Sequence, residues 1–103
     1  MSQNNGYKRF FDTLANKTRL DIIHALQDKP MNVSELTDEL SYEQSTISHN
    51  LNRLKTCRFV YCKKKGKERV YELNHDTIEP LLELMDEHVN KFCSKVCKNK
   101  SDE

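Results

Sequence analysis

The sequence predicts a mainly α-helical domain with a small β-hairpin, an α+β fold, and three observations lead to this prediction. Apolar residues recur at helical spacing in five segments. Two runs rich in aromatic and β-branched residues flank a short link that contains Gly66. The chain has 103 residues, of which 36% are hydrophobic and 32% charged, and this composition suits a single modest core.

Two helices are predicted in the first thirty residues. The first carries an aromatic stripe that can either close the core or cover a partner. The second carries an aliphatic stripe that we assign to the core, and it ends near Pro30. The residues of the two stripes are Tyr7, Phe10, Phe11 and Leu14, and then Leu20, Ile22, Ile23 and Leu26.

A short amphipathic helix comes next, and its start has the pattern of a capping box. Asn32 is placed to cap the helix, and Glu35 follows three residues later. A further helix begins either at Ser41 or nearer Glu43, since both boundaries fit the spacing. Two short helices in this order form a helix-turn-helix when the second one is polar on its outward face.

The second of these helices is the candidate DNA-reading helix. Its apolar residues Ile47, Leu51 and Leu54 form one narrow stripe, so the opposite face is polar. Small hydroxyl and amide side chains on such a face can reach base edges in a major groove. An ordinary solvated face is the alternative for a helix considered alone. The candidate DNA-contacting residues are Gln44, Ser45, Thr46, Ser48, His49, Asn52 and Arg53.

A basic hairpin follows this helix, with strands predicted at 58–63 and 68–73 and a four-residue link between them. From Arg53 to Arg69, eight bases stand against the single acid Glu68, a net charge of +7 in a chain whose total is +1. Lysines can also protect a sheet edge from aggregation. A basic hairpin beside a polar helix nevertheless favours phosphate contact, and the pair forms a winged helix-turn-helix. The candidate hairpin contacts are Lys63, Lys64, Lys65, Lys67 and Arg69.

The last predicted helix is apolar along one side over about twenty residues, with Pro80 tolerated in its first turn. A small winged domain cannot bury both this stripe and the aromatic stripe of the first helix. We therefore expect a symmetric homodimer formed by the first and last helices, with a closed monomer as the alternative. The residues of the last stripe are Ile78, Leu81, Leu82, Met85, Val89, Phe92 and Val96.

The sequence predicts a flexible N-terminus at 1–6, a winged-helix DNA-binding and dimerisation domain at 7–97, and a flexible tail at 98–103. No run approaches the roughly 20 apolar residues of a membrane span, and the N-terminus lacks the apolar region of a signal peptide. We therefore expect a cytoplasmic protein that does not contact membranes. An enzyme is not expected, since the chain has only two glycines and no phosphate-cradling loop or paired-carboxylate site.

Cys93 and Cys97 are the candidate thiol site, because four-residue spacing places both thiols on one side of a helix. Such a pair suits a thiophilic metal or metalloid ion, although no cofactor is certain. Two inert thiols on a fraying tail are the alternative. Cys57 and Cys62 are interpreted as small buried hydrophobes, with a four-cysteine zinc site as a further alternative.

Several runs together resemble the ArsR/SmtB family of bacterial and archaeal repressors over residues 7–92. These runs are 14–23, 33–36, 44–51 and the basic hairpin. The resemblance implies a homodimeric winged-helix repressor that binds double-stranded operator DNA, an imperfect palindrome. It also implies that the repressor dissociates from DNA when it binds a metal or metalloid or reacts with an oxidant.

The sequence departs from the family's known metal sites. Where arsenic- and cadmium-sensing relatives carry a Cys-x-Cys pair, this chain has Asn32 and Ser34. The zinc- and nickel-sensing site is incomplete, because only two of its four positions can ligate a metal. An effector-independent repressor and a winged-helix protein-interaction module of a transcription assembly therefore remain as alternatives. The four positions of that site are His75, Thr77, His88 and Lys91.

Overall fold

A computed structural model describes residues 2–93. The helices of this part of the chain are α1 Ser2–Leu14, α2 Lys17–Asp28, α3 Val33–Leu40, α4 Gln44–Thr56 and α5 Ile78–His88. The strands are β1 Met31–Asn32, β2 Val60–Lys65 and β3 Glu68–Leu73, in the antiparallel order β1-β3-β2. The α+β prediction is therefore confirmed, and α3 and α4 form the helix-turn-helix beside the β2–β3 hairpin.

A single apolar core lies where α2, α3 and α4 meet the sheet. The narrow stripe of α4 is fully buried, and so is the aliphatic stripe of α2 except for Leu20, which is half-buried against the core. Phe59, which links α4 to β2, is also fully buried, and its ring lies 5.0 Å from that of Phe10 in α1. The largest fully buried side chains are Phe59, Ile22, Ile23, Leu36, Ile47, Leu51, Leu54, Leu73 and Leu82.

Helix α3 begins with the predicted capping box. The Glu35 N–H donates to Asn32 Oδ1 at 2.8 Å, and the Asn32 N–H donates to Glu35 Oε1 at 2.9 Å. Ser41 ends the same helix in the left-handed conformation (φ 62°) and donates its N–H to the Thr37 carbonyl. Ser41 is therefore not the cap of α4, which begins instead after Glu43, in extended backbone and without a side-chain cap.

The hairpin differs from its predicted boundaries. Strand β2 begins at Val60, and the turn has two residues where four were expected, because β2 remains paired as far as Lys65. Gly66 takes φ +63°, which permits this tight turn. Strand β1 was not expected, since two residues are too few to show an alternating pattern, and its place follows only from pairing with β3.

Helix α5 ends earlier than the predicted twenty-residue helix. A π-helical turn, Val89–Cys93, continues it, and Val96 lies outside the described residues. Ile78 and Leu82 are buried, whereas Phe92 is 62% exposed. Helix α1 begins ahead of the predicted boundary at residue 7, and the three domain ranges stay predictions. None of the described helices has the length and apolar character needed to cross a membrane.

Arg19 in α2 connects three helices through its guanidinium. Nε donates to the Thr13 carbonyl at 2.7 Å and Nη2 to the Asp12 carbonyl at 3.1 Å, so the group caps the end of α1. Nη1 donates to Asn50 Oδ1 of α4 at 3.1 Å, and Asn50 Nδ2 donates to the Thr46 carbonyl. Partial burial lowers the pKa of Arg19, but a guanidinium stays charged at physiological pH.

His75 lies between two carboxylates in the loop from β3 to α5. Nδ1 is 3.2 Å from Glu79 Oε1, and Nε2 is 3.4 Å from Glu72 Oε2. Hydrogen bonding to Glu79 first, and then to Glu72, raises the pKa of His75 above its usual value of 6.5. The loop therefore links the wing to α5 more strongly when His75 is protonated.

Replacing Arg19 should destabilise the fold by about 2 kcal/mol, because hydrogen bonds from charged donors contribute roughly 1.5–3 kcal/mol. The test is urea unfolding of Arg19→Ala at one fixed protein concentration. Lys17→Ala is the matched control on the same helix, since the Lys17 side chain is exposed and an ion pair such as that with Asp21 contributes little in contact with water. An equal loss in both variants would contradict the role given to Arg19.

The stability that His75 contributes should be present below pH 6.5 and lost as the pH rises through its raised folded-state pKa. An NMR titration of the imidazole should give a pKa above 6.5. Glu79→Gln should lower this pKa, because Glu79 is the main cause of the shift. Glu83→Gln, an exposed change one turn later on α5, should leave it in place. An unchanged pKa of His75 in Glu79→Gln would refute the assignment.

Candidate nucleic-acid interface

Helix α4 exposes its polar face because its apolar stripe is buried against α2 and α3. The residue types on the outward face are hydroxyls, amides, an imidazole and a guanidinium. From Gln44 to Thr56 the helix contains no acid that would repel DNA. Thr46 alone among the candidate side chains is half-buried. The exposed candidates of this helix are Gln44, Ser45, Ser48, His49, Asn52 and Arg53.

Arg53 lies on the edge of α4 that faces α1. It lines a small cleft there with Arg9 and Asp12. The pKa of Asp12 is lowered mainly by its bond to Lys8, with a smaller contribution from the Arg53 charge. Counting about 100° per residue, Arg53 is on the opposite side of the outward face from Lys55, which lies on the edge next to the hairpin.

One face of the hairpin is strongly basic. The strand register places Lys64 directly opposite Arg69, and Cys62 opposite Tyr71, on the face that continues into the core. Neither Lys64 nor Arg69 makes an ion pair with any described residue. Burial, together with the Cys62 thiol, raises the pKa of Tyr71, so the phenol stays neutral.

The other face of the hairpin is close to neutral. Lys63 Nζ lies 2.8 Å from Glu72 Oε1, and this contact is the main cause of the lowered pKa of Glu72. Lys65 is paired in register with Glu68, whose carboxylate also accepts a hydrogen bond from Asn32 Nδ2 at 3.1 Å. Lys63 is thus already bound to a carboxylate within the hairpin.

Two further bases, Lys55 and Arg58, stand beside the basic face. Both belong to the +7 run of the sequence but were not among the candidate DNA contacts. In the structure Arg58 precedes β2, in the left-handed conformation. The two bases help to line an open cleft of 480 Å³, which we call the wing cleft. Its lining residues are Lys55, Arg58, Tyr61, Cys62, Lys64 and Arg69.

Cys57 and Cys62 are both half-buried thiols. Cys57 follows the last residue of α4, and Cys62 lies within β2, the next element of the chain. Cys57 Sγ lies 3.5 Å from Thr13 Oγ1 and so joins the end of α4 to α1. Cys62 lines the wing cleft, and its interpretation as a buried hydrophobe is therefore wrong. The reason is that burial on this face of β2 falls along the strand, from the buried Val60 through the half-buried Cys62 to the exposed Lys64.

The candidate thiol site is only partly described. Cys93 is half-buried at the end of the π-helical turn, and Cys97 lies outside the described residues, so their pairing stays a prediction. Within residues 2–93, no three His, Cys, Asp or Glu side chains are grouped to hold a metal ion. Of the two histidines at the family's metal positions, His75 contacts two carboxylates and His88 lies 5.0 Å from the Phe92 ring.

Helices α1 and α5 carry exposed apolar surface. Phe11 is 61% exposed and Leu84 is 65% exposed, and Phe11 lines an open groove of 730 Å³ between the two helices. The lining of the groove is almost entirely apolar, which is typical of a surface that packs against another protein chain. The lining residues are Gly6, Tyr7, Phe10, Phe11, Leu14, Leu81 and Met85.

The chain is similar to a family profile, to curated transcriptional regulators and to solved winged-helix structures. The profile described as "Bacterial regulatory protein, arsR family" matches residues 16–61. An uncharacterized HTH-type transcriptional regulator of Methanocaldococcus jannaschii is 36% identical over 78 residues, covering 75% of this chain and 88% of the relative. The arsenical resistance operon repressor of Staphylococcus aureus is 27% identical over 88 residues, which cover 84% of this chain and 83% of the relative. Among solved structures, a homodimeric winged helix-turn-helix DNA-binding domain of Mycobacterium bovis superposes with a TM-score of 0.83 at 21% identity. The superposition covers 91% of this chain and 87% of that domain.

The family profile covers the helix-turn-helix of the candidate interface but stops before the basic residues of the hairpin. The family profile extends from the cap of α2 through α4 into the first strand of the hairpin. The archaeal relative is matched over most of its own length, and the superposed structure shares the fold. The chain therefore belongs to the ArsR/SmtB family of winged helix-turn-helix transcriptional regulators, which bind DNA as homodimers and are not enzymes.

Proposed function

We propose that this protein is a transcriptional repressor whose two α4 helices read an imperfectly palindromic operator while the hairpins hold flanking phosphates. The observation that carries the proposal is the exposed, acid-free polar face of α4 next to a hairpin face with unpaired bases. Because chromosomal DNA lies in the cytoplasm of bacteria and archaea, we propose that location for the protein.

Sequence specificity is assigned to Ser45, His49 and Asn52. These side chains follow one another along the outward face, and from Ser45 to Asn52 the helix rises about 10 Å, or about three base steps. An asparagine amide can both donate to and accept from adenine in the major groove. The residues at the sides of this face would contact the DNA backbone instead, and they are Gln44, Thr46, Ser48 and Arg53.

Phosphate contact is assigned mainly to Lys64, Lys65, Lys67 and Arg69. Lys63 receives a smaller role than the sequence analysis gave it, because Glu72 already neutralises its charge. If about eight phosphates are contacted per dimer, log affinity should fall against log salt with a slope near −7.

A second copy of the chain is the occupant proposed for the apolar groove between α1 and α5. Large exposed side chains such as Phe11 and Leu84 support this assignment, since a lone protomer would leave them in water. A two-fold axis there would present both α4 helices on one side of the dimer. Helices in successive major grooves lie about 34–36 Å apart, and this distance sets the operator spacing.

Cys93 and Cys97 are proposed to bind a thiophilic metal or metalloid ion that releases the DNA. Support comes from the half-buried Cys93 thiol at the end of the helical segment assigned to the dimer, and from a relative named as an arsenical resistance operon repressor. Such an ion releases DNA only if it binds the DNA-free arrangement more tightly.

Two variants should separate base reading from phosphate binding. Asn52→Ala should reduce the preference for operator over unrelated DNA by about 1–3 kcal/mol, because it removes a base contact. Lys64→Ala with Lys65→Ala should weaken binding to all sequences and flatten the salt slope by about 4, since each dimer loses four bases. Fluorescence anisotropy across a salt series measures both effects. A parent protein with no salt dependence would refute the proposed function.

Arsenite should lower DNA affinity in the parent protein if the C-terminal thiols bind it. The effect should disappear in Cys93→Ser with Cys97→Ser, because serine oxygens bind arsenic(III) weakly. Cys57→Ser with Cys62→Ser removes the same number of thiols and should keep the response. If arsenite still releases DNA from the Cys93→Ser, Cys97→Ser variant but not from the Cys57→Ser, Cys62→Ser variant, the arsenite site lies at Cys57 and Cys62 instead.

A further inference from the structure

We infer that the wing cleft binds a backbone phosphate of the operator, which gives Lys55 and Arg58 a role in DNA binding. This inference rests on the proposed function and goes beyond it in one respect. The main phosphate contact moves from the hairpin tip to the junction between α4 and the hairpin.

The charges that line the cleft are all of one sign. Lys55, Arg58, Lys64 and Arg69 converge there, and no carboxylate is part of the lining. None of the four bases makes an ion pair within the described part of the chain. Like charges opposite each other on paired strands, as at Lys64 and Arg69, oppose folding. An anion between them would turn this repulsion into attraction.

Arg58 adds an independent observation, because its backbone is strained. Its φ is +64°, a conformation that glycine adopts freely and that a side chain opposes. The surrounding structure enforces the conformation: Asn74 Nδ2 donates to the Arg58 carbonyl at 2.8 Å, and the Arg58 N–H donates to the Lys55 carbonyl at 3.1 Å. A long cation held at a position better suited to glycine indicates a function for its side chain.

The position of the cleft suits a phosphate of the groove that α4 enters. Ser48, Asn52 and Lys55 lie along one edge of α4, and Lys55 is about 4.5 Å beyond Asn52 along the axis. Since the major groove is about 12 Å wide, a helix whose middle reads bases brings its end close to the phosphates at the groove edge. The volume of 480 Å³ has room for a phosphate with its adjoining sugar.

The first test is Arg58→Gly, for which the inference predicts opposite changes in stability and binding. The Tm should stay level or rise by up to about 5 °C, because glycine relieves the left-handed strain. Operator affinity should fall roughly tenfold, and the salt slope should flatten by about 2, since each dimer loses two phosphate contacts. Lys29→Gly removes the same charge from an exposed position outside the cleft and should leave binding unchanged.

Failure of this inference can be told from failure of the proposed function. If Arg58→Gly and Lys55→Ala bind like the parent while Asn52→Ala loses selectivity, the cleft holds no phosphate and the proposed function stands. If the parent binds DNA without salt dependence, both fail. Inorganic phosphate, titrated without DNA and followed by NMR, should bind only at millimolar concentration. Micromolar binding would assign the cleft to a small phosphorylated molecule instead.

Cys62 provides a second test, in a variant whose other thiols are removed by Cys57→Ala, Cys93→Ser and Cys97→Ser. A methanethiosulfonate reagent transfers its thioalkyl group to the Cys62 thiolate and releases methanesulfinate. The sulfonatoethyl adduct adds a negative charge to the cleft, and the trimethylammonioethyl adduct adds a positive charge with similar bulk. The anionic adduct should lower DNA affinity at least tenfold more than the cationic one. Equal effects would overturn the inference.

Discussion

The guanidinium of Arg19 connects α4, the proposed DNA-reading helix, to α1, the helix proposed to form the dimer surface. It caps the last carbonyls of α1 and binds Asn50 on the buried side of α4. Helix α1 otherwise contacts the rest of the domain through the Thr13–Cys57 pair and through apolar contacts such as Phe10 on Phe59. Because a planar guanidinium donates in fixed directions, this one group sets an angle as well as a distance. In a dimer formed through α1, the separation of the two α4 helices depends on that angle.

The bases of the wing differ in how far the fold neutralises them. Lys63 is bound to Glu72, whereas the Glu68 carboxylate accepts a hydrogen bond from Asn32 and makes no ion pair with Lys65, its partner in register, within residues 2–93. The other face and the junction with α4 keep their charges unpaired. We therefore propose that DNA binding depends mainly on the unpaired charges, because a base that already has a carboxylate partner must lose it before it gains a phosphate. The +7 of the sequence therefore overstates the charge available to DNA.

Regular elements were predictable from the sequence where a local repeat defines them. The stripes of α2 and α4 gave both helices, and Asn32 with Glu35 gave the start of α3. The errors in the strands lie where long-range pairing decides, and the error at Ser41 lies in the local backbone conformation. Strand β1 exists only through its partner β3, and β2 extends to Lys65 because Glu68 lies opposite. Ser41 had the pattern of a cap for α4, but its left-handed backbone ends α3 instead.

The sequence by itself determined the order of the five helices and the hairpin, the polar face of α4 and the sign of the wing charge. These properties depend on spacing within one segment, which helix and strand geometry fix locally. Only the tertiary structure decided which bases stay unpaired, which four converge on one cleft, and that Arg19 connects three helices. Those outcomes depend on strand register and helix packing, which bring together residues as far apart as Lys55 and Arg69. A local sequence pattern cannot specify contacts between residues that are this far apart along the chain.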